Sequence, residues 1–120
     1  MTWTVDGDHL AADEVVAVLR GRIAGGRLET WLSGEPERRI AFVTNNDRAM
    51  VMLLDEPDDP GEHATDPGAE GTSDGFLLSN GQNDTYQNSD TVPLDRALAI
   101  VEHLVGHGSW PEDAHRVSDR

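Results

Sequence analysis

Residues 55–74 hold eight carboxylates, three glycines and three prolines, with almost nothing apolar between them. A segment of this composition cannot repay the entropy of ordering by joining a core, so it predicts a loop. Loops longer than about 12 to 15 residues inside compact domains are usually functional or disordered. This one lies within a wider window, Ala49 to Asp95, that has no lysine or arginine and eleven carboxylates. Such a window predicts an anionic field on one side of the molecule. That field repels nucleic acid, anionic membrane and most phosphorylated substrates, and it attracts a cationic partner within a Debye length of about 8 to 10 Å.

The rest of the chain supplies one ordinary core. At 120 residues and 37% apolar content it matches a single domain, which buries about two-thirds of the surface its unfolded form exposes. The formal net charge of −14 favours solubility at some cost in self-repulsion. No cysteine is present, which excludes disulfides, thiolate metal sites and a thiol nucleophile. All nine basic residues are arginine, as a GC-rich genome gives. The opening Met-Thr-Trp-Thr-Val-Asp lacks the basic and apolar regions of a secretory signal, and no stretch reaches eighteen apolar residues. A cytoplasmic protein with no membrane role is expected.

Periodicity and turn residues order the elements. Trp3 to Val5 reads as a short strand ended by Asp6-Gly7-Asp8. A helix is expected from about Leu10 to Ala24, with Val15, Val16, Leu19 and Ile23 at helical steps and Gly25-Gly26 as the stop. Strands follow at 28–32, 39–44 and 49–54, separated by turn residues. The run Ala-Met-Val-Met-Leu-Leu at 49–54 lacks polar alternation, which places it centrally and covered on both faces. After the acidic loop, 75–79 and 82–86 predict a hairpin around Asn80-Gly81, both at positive φ in a type I′ turn. A second helix starts near Thr91 to Pro93, buries Ala97, Ile100, Val101, Leu104 and Val105, and ends at Gly106 and Gly108. The sum is an α+β domain over 1–108, a small antiparallel sheet with two helices packed on one face, followed by a polar tail at 109–120. Within that tail, Trp110 packs back and Arg116 to Ser118 form a short strand at most.

No catalytic motif stands out, so binding is expected rather than chemistry. His103 and His107 stand one helical turn apart, but Leu104 occupies the position where a metalloprotease motif needs glutamate. A solvated helix face is the ordinary reading of that pair. The spacing of Asp55, Glu56, Asp58, Asp59 and Glu62 does not fit the twelve-residue calcium loop. Ser33 and Ser79 lack the glycine two residues earlier that a nucleophile elbow requires. Hence no enzyme, cofactor or metal is expected. Asp84 and Tyr86 share a face of an extended strand, a rigid aromatic beside a carboxylate, and aromatic residues are favoured interface anchors.

The stretch Gly75-Phe-Leu-Leu-Ser-Asn-Gly-Gln-Asn-Asp-Thr-Tyr, then Thr91-Val-Pro-Leu-Asp-Arg-Ala and an apolar helix ending in glycine, resembles the C-terminal half of a known family. It is similar to the first-numbered immunity (Imm) family of bacterial polymorphic toxin systems, common in actinobacteria, over roughly residues 74 to 108. Members of that family tend to finish with a valine and tryptophan strand after a proline, whereas this chain places Trp110 before Pro111. The resemblance implies a cytoplasmic inhibitor that binds a cognate protein toxin, often a nucleic-acid-directed enzyme, and blocks its active site. The charge pattern agrees, because a cationic cleft built for nucleic acid is matched by an anionic inhibitor. The expected partner surface is Asp55, Glu56, Asp58, Asp59, Glu62, Asp84 and Tyr86. A protein-interaction module without a toxin, such as a homodimer built on the sheet edge, is the alternative.

Overall fold

A computed structural model describes residues 2–120. Its strands are β1 Trp3–Val5, β2 Asp8–Leu10, β3 Glu29–Gly34, β4 Arg38–Thr44, β5 Arg48–Leu54, β6 Glu62–Ala64, β7 Thr72–Leu77, β8 Asn83–Gln87, β9 Val92–Pro93 and β10 Arg116–Ser118. The helices are α1 Val15–Ala24 and α2 Leu94–His107, with 3-10 turns at Ala12–Glu14 and Asn88–Asp90. An eight-stranded sheet runs β10-β6-β5-β4-β3-β1-β2, with β9 also paired to β5, and β7-β8 form a separate ribbon. Every pairing is antiparallel.

An antiparallel α+β arrangement was expected, but the sheet is larger than the small one the sequence suggests. The additional strands β2, β6 and β9 are two or three residues long, too short to carry a period-two signal. Leu10 illustrates the effect. It pairs with Trp3 in β2, so the first helix begins later than expected, after an extended Ala11 and the 3-10 turn.

The central pair β4–β5 is the backbone of the core. Leu32, Ile40, Phe42, Val51 and Leu53 alternate onto one side and join Val15 and Leu19 of α1 and Ala97, Ile100, Val101 and Leu104 of α2 in a single buried cluster. Full burial of a side chain of this size contributes about 2 kcal/mol. α2 packs against β5, and α1 against α2. The long helix forms because its apolar positions repeat at helical steps and both ends are fitted. Pro93 stands at the N-cap, Asp95 in the first turn and His107 in the last, while Gly108 at φ +75° donates its N–H to Leu104 O at 2.8 Å.

Residues of opposite parity face away from that cluster. The register sets Trp31, Ala41, Met52, His63 and Val117 in one row across β3, β4, β5, β6 and β10. Ala41 and Val43 are buried although they lie outside the main cluster. The β7-β8 ribbon lies against β4, and its Phe76 is fully buried. Trp110 packs back into the main cluster and Arg116–Ser118 form a strand, both as expected, so the polar tail contributes to the core and to the sheet edge.

Candidate functional site

The acidic segment is a tightly tethered turn and strand. Asp59 accepts backbone N–H bonds from Asp55 at 2.9 Å and Gly61 at 3.0 Å, which closes the loop on itself. Gly61 follows at φ +84°, where a Cβ would stand 2.7 Å from the carbonyl oxygen of Leu53. Only glycine brings the chain this close to β5. β6 then adds to the sheet with Met52 opposite His63 and Leu53 opposite Glu62.

Arginines from outside the basic-free window fold back onto these acids. Arg120 donates to Asp59 from Nε at 2.9 Å and Nη2 at 2.8 Å, to Glu62 from Nη1 at 3.0 Å and to Asp55 from Nη2 at 3.1 Å. Arg38 holds the other oxygen of Asp55 at 3.0 Å, and Arg116 holds Glu62 at 2.9 Å. The Arg120 bond, followed by the Asp55 backbone N–H, lowers the Asp59 pKa to about 2. The bonds to Asp59 first, and to Glu62 second, raise that of Arg120. The free anionic field expected over 49–95 is therefore narrower in space than in sequence. Asp55, Asp59 and Glu62 are neutralised by the protein's own guanidinium groups, whereas exposed Glu56 and Asp58 form no ion pair among the described residues. Pairing across more than fifty residues of chain left no local trace that sequence reasoning could use.

His63, beside Glu62, is held at both ring nitrogens. Nδ1 lies 2.7 Å from Asp119 Oδ2 and Nε2 lies 3.0 Å from Asp90 Oδ1. Burial opposes the charged ring, but the hydrogen bonds and charges of the two carboxylates outweigh it and raise the His63 pKa above its ordinary value. These three residues, with Met50, Met52 and Tyr86, line a hollow of about 300 Å³. None of the three was singled out from the sequence, because strand, turn and tail converge here only in the fold.

Asp84 and Tyr86 do act together, as their spacing suggested. The Tyr86 hydroxyl donates to Asp84 Oδ2 at 3.0 Å, and its ring meets Phe76 edge-on with centroids 4.8 Å apart. Burial first, and the Asp84 carboxylate second, push the Tyr86 pKa up to about 12. The hairpin tip differs from the expected type I′ turn. Gly81 has φ +90°, but Asn80 is not in the left-handed region. The connection instead spans five residues, closed by Gly81 N to Leu78 O at 2.9 Å and Leu78 N to Gln82 O at 2.8 Å, while the Asn80 side chain accepts from Gln82 N at 2.9 Å. A longer loop with a side-chain bond removes the need for two positive φ angles. Glu29 ties the tip to β3 by accepting from Ser79 N at 3.0 Å and Trp31 Nε1 at 3.3 Å.

His103 and His107 stack with centroids 4.3 Å apart on the surface of α2. Among the described residues, no group of three or more His, Cys, Asp or Glu side chains is arranged to hold a metal ion. No helix among them is long and apolar enough to cross a membrane. Chemically, the assembled site offers hydrogen-bond acceptors and negative charge around a partly apolar hollow. No protein-family model matches this chain, and no curated protein matches it closely enough to count as a relative.

Proposed function

We propose that this protein is an immunity-type inhibitor that acts in the cytoplasm by binding a cationic protein toxin. In this reading the two helices back one face of the sheet as scaffold, and the partner meets the opposite side. The observation that carries it is the hollow between β5, β6 and β8. Apolar Met50 and Met52 and the rigid ring of Tyr86 lie there beside Asp90 and Asp119, with Asp84 bonded to the Tyr86 hydroxyl. A half-buried aromatic anchor rimmed by carboxylates supplies affinity at the centre and electrostatic steering around it. Exposed Glu56 and Asp58, on the acidic segment, add negative charge that no ion pair among the described residues cancels.

Co-expression with the product of each neighbouring gene that is toxic to the cell is the test of function, and rescue of growth is the expected result. The triple variant Glu56→Gln, Asp58→Asn and Asp84→Asn should slow association about tenfold at low salt and leave thermal stability nearly unchanged. Failure to rescue, or an association rate that ignores both these charges and added salt, would overturn the proposal.

A further inference from the structure

The last residues of the described chain cross the acidic segment as β10 and end in the Arg120 contacts. All three residues of β10 are exposed, including the apolar Val117 at 48%, so little apolar burial holds this segment down. Its anchors are polar. Asp119 N donates to Gly61 O at 2.8 Å, Thr65 N to His115 O at 2.8 Å, and Arg116 and Arg120 reach Glu62, Asp59 and Asp55. The antiparallel pairing of β10 with β6 and the His63 bond to Asp119 are further polar anchors.

Both nitrogens of His63 face carboxylate oxygens at hydrogen-bond distance. A neutral imidazole has one N–H, so it leaves one lone pair pointing at a negative oxygen, while the imidazolium satisfies both contacts. The surroundings reinforce this. The 3-10 turn presents Asp90 and the C-terminal segment presents Asp119. β8 presents the Tyr86 phenol, β5 presents only Met50 and Met52, and neighbouring Glu62 on β6 is already held by Arg116 and Arg120. As classes, carboxylates and guanidinium groups keep their charge between about pH 6 and pH 9, and imidazole does not.

We infer that residues 116–120 are a strap over the acidic segment, latched by protonated His63 and released when that ring loses its proton, which bares the carboxylates of Asp59 and Glu62 and leaves Asp55 to Arg38 alone. The sign is set by the direction of the His63 shift. A raised value means the latch is fully formed below the ordinary histidine range and is lost as pH rises through the raised value. As control of a toxin-facing surface, the strap rests on the reading above. As a latch, it is testable on the protein alone.

The experiment follows amide hydrogen exchange of Asp119 and Thr65, expressed as protection factors, from about pH 6 to about pH 9, beside an NMR titration of the His63 ring. Protection at these two amides should fall severalfold across the ring's titration while β4 and β5 amides keep theirs. His63→Gln should abolish the pH step, and Asp119→Asn should shrink it if the first variant folds poorly. Protection that ignores the ring's titration, or a step that persists in these variants, would overturn the latch. A lost step with intact rescue of the toxin-bearing cell removes the latch alone. An intact step with no rescue removes the toxin reading alone.

Discussion

The guanidinium of Arg48 meets the carboxylate of Asp66 at 2.5 Å across eighteen residues of chain. The same group donates to Thr91 Oγ1 at 2.7 Å, Thr91 O at 3.1 Å and Asn88 O at 3.2 Å. One side chain at the start of β5 thus ties the acidic segment to the turn that launches α2.

Replacing it should be costly. Arg48 is only 17% exposed, and Arg48→Ala strands a carboxylate and two carbonyls together. The expected loss is about 3 kcal/mol, or a fall in melting temperature of about 10 °C for a domain of this size. Arg48→Lys should recover only part of it, because a point charge cannot reach four acceptors in a fixed fork. Thermal unfolding followed by circular dichroism reads both.

Gly61→Ala should destabilise by about 2 to 4 kcal/mol, since it combines a positive φ with a Cβ 2.7 Å from a backbone oxygen. The damage should be local first. Exchange protection should disappear from β6 and β10 before it weakens in β4, as native-state exchange would record.

Phe76→Ala removes the buried ring that seats the β7-β8 ribbon and supports Tyr86. A cavity of this kind costs about 3 to 4 kcal/mol. Phe76→Leu should cost less than half as much. Urea unfolding midpoints at unchanged slope would check both values.

Asp59 gives a pH prediction with a definite sign. Its carboxyl is lowered to about 2, so its contribution to holding the strap is complete above the ordinary carboxylate range near pH 4 and is lost as pH falls toward about 2. In Arg120→Ala the Asp59 titration should move back up toward that ordinary range, visible in the carboxyl carbon shift.

These outcomes bear on what a sequence can carry. α2 was legible because Ala97, Ile100, Val101, Leu104 and Val105 repeat at helical steps between a proline and a left-handed Gly108, all local signals. β4 and β5 were legible as apolar runs bounded by turn residues. β6 was not, because three residues carry no period; β10 was expected as a short strand at Arg116 to Ser118, but its place beside β6 depends on Arg116 and Arg120 reaching acids fifty or more positions away. The candidate site divided in the same way. The Asp84 and Tyr86 pair followed from strand alternation, whereas the neutralisation of Asp55, Asp59 and Glu62 and the double grip on His63 are properties of distance in space.

The sheet ends in β2 on one flank and β10 on the other, each three residues long. Another molecule approaching either rim meets a short run of backbone donors and acceptors before the chain bends away. Fibre-like growth by successive strand addition gains little purchase there. The long apolar pair β4–β5, which would be hazardous at a border, is kept in the interior of the array, away from both of these rims.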